Sequence, residues 1–122
     1  MKSGPLILLV NSNPRNIELL EQFLKKAGYE ISGTTTLEEA SQFLEGAKTP
    51  DLALVDITGF DQHIWTFCDA LHSREVPFLL ISPRYSSALQ QESIARGARG
   101  MLVKPLATRE LLALIKTMIN QE

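Results

Sequence analysis

Asp51-Leu52-Ala53-Leu54-Val55-Asp56 is four apolar residues held between two carboxylates. A strand buried on both faces of a sheet reads as an unbroken apolar run, whereas a half-exposed strand alternates. The same pattern recurs as Ile7-Leu8-Leu9-Val10-Asn11-Ser12, Pro77-Phe78-Leu79-Leu80-Ile81-Ser82 and Met101-Leu102-Val103-Lys104-Pro105. Each run stops on polar residues. Laid side by side in a parallel sheet, the runs bring Asn11/Ser12, Asp56, Ser82 and Lys104 to one edge. That edge is where open α/β sheets carry their ligands. One carboxylate facing one ammonium, with amide and hydroxyl neighbours, suits a pocket that accepts or senses a phosphoryl group.

Between the runs the periodicity turns helical. Asn13 is placed to cap a helix that has Pro14 at its first position and Ile17, Leu20, Leu24 and Ala27 on its inner stripe. Lys25 and Lys26 close it before Gly28. A more polar strand, Glu30–Thr35, belongs at the sheet edge. Thr36-Leu37-Glu38-Glu39 reads as a capping box for a second helix that buries Leu37, Ala40 and Leu44. A third helix is expected over about Gln62–Ser73, with Ile64, Phe67, Cys68 and Leu71 inward. The fourth, near Ser86–Arg96, has Leu89 and Ile94 as its only large aliphatics and ends at Gly97. Thr108 caps a fifth that turns Leu111, Leu112, Ile115, Met118 and Ile119 inward. Five strands alternating with five helices imply right-handed crossovers. The fold expected is α/β: a three-layer, flavodoxin-like, doubly wound five-stranded parallel sheet of order 2-1-3-4-5 with five helices.

The totals narrow the function. The 122 residues, 44% hydrophobic and 21% charged, fit one domain spanning residues 1–122. A net charge of −2 gives no reason to expect direct nucleic-acid binding. No apolar run is long enough to span a bilayer, so no membrane partner is expected. Met1-Lys2-Ser3-Gly4-Pro5 leads into a strand rather than a signal peptide. The single Cys68 has no internal disulfide partner, which fits a reducing, cytoplasmic setting. An output module is expected on another chain or another segment.

Four motifs in order resemble the receiver domain of two-component response regulators over roughly Leu6–Ile119. They are the run ending at Asp56, the run ending at Ser82, Ala95-Arg96-Gly97-Ala98, and Lys104-Pro105. The resemblance implies that Asp56 is the phosphoacceptor, with Ser82 and Lys104 binding phosphoryl oxygens and a cis bond before Pro105. It implies a histidine kinase or phosphotransfer protein as donor. It also implies a surface over the fourth helix, fifth strand and fifth helix for a homodimer or output domain, with Tyr85, Leu89 and Gln90 as possible contacts. In the family Mg²⁺ is held by the acceptor, acids at the end of the first strand, and the main-chain carbonyl two residues beyond the acceptor. Here those positions are Asp56, Asn11, Ser12 and Thr58. Asn11 and Ser12 are neutral, so Mg²⁺ binding is expected to be weak or absent. Asp61 is the nearest substitute carboxylate. Met101 stands where the family has a switch aromatic, and Thr58 and Arg84 flank the expected path of a hydrolytic water.

Three rival classes remain at this point. A phosphorylation-independent pseudo-receiver, acting as a protein-protein interaction module, is favoured by the missing acids. A flavodoxin-like cofactor binder needs a phosphate-cradling loop, and Asn11-Ser12-Asn13-Pro14-Arg15-Asn16 has no glycine. A metabolic enzyme needs a second base or nucleophile converging on the pocket, and the sequence offers none. His63 and His72 read as surface residues, Met101 as core filler and Trp65 as partly exposed.

Overall fold

The computed structural model describes residues 4–119. In chain order the elements are β1 (Leu6–Val10), α1 (Pro14–Lys26), β2 (Glu30–Thr34), α2 (Leu37–Leu44), β3 (Leu52–Asp56), α3 (His63–Ser73), β4 (Phe78–Ser82), α4 (Ser87–Ala95), β5 (Gly100–Val103) and α5 (Thr108–Ile119). The sheet runs β2-β1-β3-β4-β5 and every pair is parallel, which is the order the alternation of strands and helices predicts. Register aligns the strand ends: Val10 opposite Val55, Asp56 opposite Ile81, Ser82 opposite Val103. The C-terminal edge is therefore level, and the residues that end the strands are neighbours.

β1, β3 and β4 are buried along their whole length, as unbroken apolar runs require. Their side chains alternate between two cores. Leu8, Val10, Ala53, Val55, Phe78 and Leu80 pack with Ala40 and Leu44 of α2 and with Ile64, Phe67, Cys68 and Leu71 of α3. On the other face Ile7, Leu9, Leu52, Leu54, Leu79 and Ile81 meet Ile17 and Leu24 of α1 and Leu111 and Ile115 of α5. This gives three layers with the sheet in the middle.

Local chemistry sets the helix starts. Asn13 accepts from the backbone N–H of Arg15 and Asn16, ahead of Pro14. Thr36 Oγ1 accepts from Glu39 N at 3.0 Å, while the Glu39 carboxylate reaches back to Thr35 N at 2.9 Å, one residue earlier than the usual capping box. Asp51 stands just before β3 and accepts the Leu6 N–H at 2.8 Å, tying β3 to the start of β1.

The fourth helix turns only one of its two large aliphatics to the sheet. Ile94 is 57% exposed, and Ser93 is the fully buried residue of α4. Leu89 and Ser93 are four apart and share the face turned to the sheet, which leaves Ile94 outside. Ser93 Oγ donates to the Gln90 carbonyl and is thereby satisfied in the core. Among the described residues no helix is long and apolar enough to cross a membrane.

Candidate functional site

Asp56 ends β3 with only 2% of its surface exposed. A carboxylate this deep must be paired and hydrogen-bonded to remain charged. Its Oδ2 meets Lys104 Nζ at 2.7 Å and accepts from Asn11 Nδ2 at 3.2 Å. Its Oδ1 accepts from the backbone N–H of Thr58 at 2.9 Å. Three strand ends thus supply one anion, one cation and one amide to a single point.

Lys104 reaches this point from the turn after β5. Its backbone N–H donates to the Ser82 carbonyl at 2.9 Å, continuing the β4–β5 ladder one residue past the strand, and the Lys104-Pro105 bond is cis. Besides Asp56, Nζ donates to Thr58 Oγ1 at 3.2 Å. Asn11 is oriented from its far side: its Oδ1 accepts from Asn13 N at 2.9 Å, which turns the amide nitrogen to Asp56. Ser12 Oγ donates to the Thr58 carbonyl at 2.9 Å, joining the β1–α1 turn to the loop after β3. Gly59, at φ +84°, makes room for this contact; a Cβ there would stand 2.5 Å from Ser12 Oγ.

Asn11, Ser12, Asp56, Thr58 and Lys104 therefore form one network, and Ser82 stands outside it. Its hydroxyl is buried but donates to the Arg84 carbonyl at 2.7 Å and accepts from Arg84 N at 3.3 Å, so it is committed to the β4–α4 loop. Asp61 is also elsewhere. Its side chain is 73% exposed and accepts from His63 N at 2.9 Å, capping the start of α3. That hydrogen bond, followed by the His63 ring, holds the Asp61 carboxyl below its ordinary range. Met101 packs half-buried against the core, and Arg96 sits 5.9 Å above the Trp65 ring while pairing with Asp69 and Glu92. Sequence reasoning placed Asn11 and Ser12 here as degenerate metal positions and Thr58 as a main-chain carbonyl ligand. It missed that the Asn11 amide donates to Asp56 and that the Thr58 hydroxyl holds Lys104.

A divalent cation such as Mg²⁺ asks for near-octahedral oxygen ligands, usually including one or two carboxylates. This pocket has one carboxylate, already balanced by Lys104. The Asn11 amide turns its nitrogen to that carboxylate, and the Thr58 carbonyl accepts a hydrogen bond from Ser12. Among the described residues no group of three or more His, Cys, Asp or Glu side chains is placed to hold a metal. The donor set does not fit the ion. What it fits is a buried carboxylate with a cation beside it, lining a cleft of about 550 Å³ between α1 and the start of α5. Leu19, Leu20, Phe23, Ile81 and Leu106 make its walls apolar.

The family model of the response regulator receiver domain matches residues 7–116. The chain is 28% identical to the transcriptional regulatory protein GltR of Pseudomonas aeruginosa, across 98% of this chain and 50% of that protein. It is 32% identical to the uncharacterized transcriptional regulatory protein YvcP of Bacillus subtilis, across 94% of this chain and 48% of that one. The chain thus spans about half the length of these relatives. Among solved structures, a CheY-like receiver domain from Methanospirillum hungatei superposes with a TM-score of 0.88 at 25% identity, covering 98% of this chain and 96% of that one. A two-component response regulator from Clostridium difficile gives 0.88 at 24% identity, over 96% and 97% of the two chains, and supports the fold. The chain belongs to the response regulator receiver domain family.

Proposed function

We propose that this receiver domain takes a phosphoryl group onto Asp56 in a two-component pathway, with Lys104 rather than a metal as the main neutralising charge. The observation that carries the reading is the 2.7 Å contact between Lys104 Nζ and a carboxylate that ends a central strand. An Asp56 oxygen would attack the phosphorus of a phosphohistidine or small phosphodonor. The new O–P bond gives an acyl phosphate, and the P–N bond of a phosphohistidine breaks with its electron pair returning to the imidazole. Phosphoryl transfer asks the protein mainly for positioning and charge. Thr58 supplies positioning through its N–H on Asp56 and its hydroxyl on Lys104. Ser82 would have to leave Arg84 to reach a phosphoryl oxygen, which would couple acceptance to the β4–α4 loop.

The donor proposed is a histidine kinase or phosphotransfer protein approaching along the α1–α5 cleft, where Leu19 is half exposed. A homodimer or output contact is proposed over α4, β5 and α5, where Tyr85, Ile94, Val103 and Leu114 are exposed. A cytoplasmic location goes with this role.

One observation favours a second reading. Both Asp56 oxygens already hold donors, and the positions that would carry acids are Asn11 and Ser12. A pocket so completed can serve as a phosphorylation-independent protein-interaction module. Intact-mass measurement after incubation with a small phosphodonor separates the two. One hydroxylamine-labile adduct, mapped to Asp56 and lost in Asp56→Asn, supports the acceptor. No adduct after long incubation, or one that persists in Asp56→Asn, refutes it.

A further inference from the structure

We infer that the Ser12 hydroxyl replaces a bridging cation in this pocket: it ties the β1–α1 turn to the β3–α3 loop, so that Mg²⁺ is not needed to hold that loop. The inference rests on reading the cluster as a receiver pocket, and three observations support it. The first is geometric. Ser12 Oγ donates to the Thr58 carbonyl, the main-chain oxygen two residues beyond Asp56 that the family resemblance assigns to Mg²⁺. The second is the room made for it. Gly59 lacks the Cβ that would collide with Ser12 Oγ, and its positive φ turns the chain away just after the bridged carbonyl. The third is electrostatic. Asp56 is balanced by Lys104, and the Asn11 amide donates where an acid would add charge. A divalent ion entering here would meet a cluster with no net charge, in which Asp56 already holds an ammonium.

Such a bridge needs no metal to form. The loop is then set by the chain itself, and the domain loses metal availability as an input. Ser12 acts as a positioning residue: it touches neither Asp56 nor Lys104 but holds the backbone of Thr58, which touches both.

The test is amide spectroscopy of the wild-type chain titrated with magnesium chloride, with no phosphodonor present. Resonances of Ser12, Asp56, Thr58 and Gly59 should stay in place through millimolar metal. In Ser12→Ala, hydrogen exchange at the Thr58 and Phe60 amides should quicken about two- to fivefold, the effect of losing one exposed hydrogen bond. Ser12→Thr, which keeps the hydroxyl, should restore protection. In the paired change Asn11→Asp with Ser12→Asp, the same resonances should move saturably with Mg²⁺. Saturable shifts in the wild type would overturn the inference, as would exchange in Ser12→Ala equal to wild type. A paired variant indifferent to Mg²⁺ would show that these two positions do not decide metal entry. Failure of Asp56 to take a phosphoryl group would remove the proposed chemistry but leave the bridge, because none of these readouts involves phosphate.

Discussion

Replacing Lys104 with Met removes the ammonium and keeps most of the stem, leaving Asp56 with the Asn11 amide at 3.2 Å and the Thr58 N–H at 2.9 Å. Taking one partner from a buried ion pair typically costs ~3–5 kcal/mol. Two features lower that here. The Lys104 side chain is 30% exposed, so water already screens part of the attraction, and two neutral donors stay on the carboxylate. A loss of about 2 kcal/mol at neutral pH follows. With an unfolding entropy of about 0.25 kcal/mol/K for a chain of this length, the midpoint should fall by roughly 8 °C. The assay is a double-mutant cycle by thermal and urea unfolding, with Asp56→Asn as the second change. A neutral amide at position 56 needs no ammonium, so Lys104→Met in that background should cost less than ~0.5 kcal/mol. The coupling is then about 1.5 kcal/mol. If Lys104→Met costs the same in both backgrounds, the two groups do not hold each other and the pocket's electrostatic account fails.

Cys68 gives a second, independent check. Burial, helped by the nearby Asp69 and opposed by Arg96, pushes its thiol from 9.0 up to about 12. A raised folded value favours the protonated form, so this stability is present below the ordinary thiol range and is lost as pH climbs towards 12. A disulfide reagent at mildly alkaline pH should therefore react only as fast as the domain opens, and labelling on mixing would contradict the burial. Phe78→Ala empties a fully buried site in the core shared with α2 and α3 and should cost about 3–5 kcal/mol, read as a lower denaturant midpoint with a similar slope. A cost under ~1 kcal/mol would place that ring elsewhere. Asp61 is held below its ordinary range chiefly by the His63 N–H, so its cap is present at neutral pH and lost as pH falls through that lowered value. Asp61→Ala should speed amide exchange in the first turn of α3 and leave Asp56 chemistry unchanged. A matched loss of phosphoryl uptake would mean that Asp61 acts in the pocket.

The sheet was legible because β1, β3 and β4 are buried on both faces, and burial of that kind leaves an unbroken apolar signature. The meeting of Asp56 with Lys104 was legible too, since parallel register brings strand ends to one edge whatever the loops do. The face of α4 was not. In nine residues, two aliphatics do not fix a helical stripe, and the small Ser93 could take the buried position because its hydroxyl bonds within its own helix. The partner of Ser82 was equally hidden, because a buried hydroxyl can turn to a neighbouring backbone carbonyl with no mark in the sequence. At Asn11 the identity could be read, but its direction could not. Which end of the amide faces Asp56 is decided by Asn13 N, two residues along.

The central claim is that Asp56 works as an acceptor beside Lys104 in a pocket that does not depend on a metal. Its most direct measurement is the rate of Asp56 phosphorylation by a small phosphodonor, followed by intact mass in Mg²⁺ and in chelator. The account predicts adduct in both conditions, with rates within about twofold, the scale of a contribution under ~0.5 kcal/mol. Adduct that forms only with Mg²⁺ would contradict it, because the cation would then be supplying the charge assigned here to Lys104.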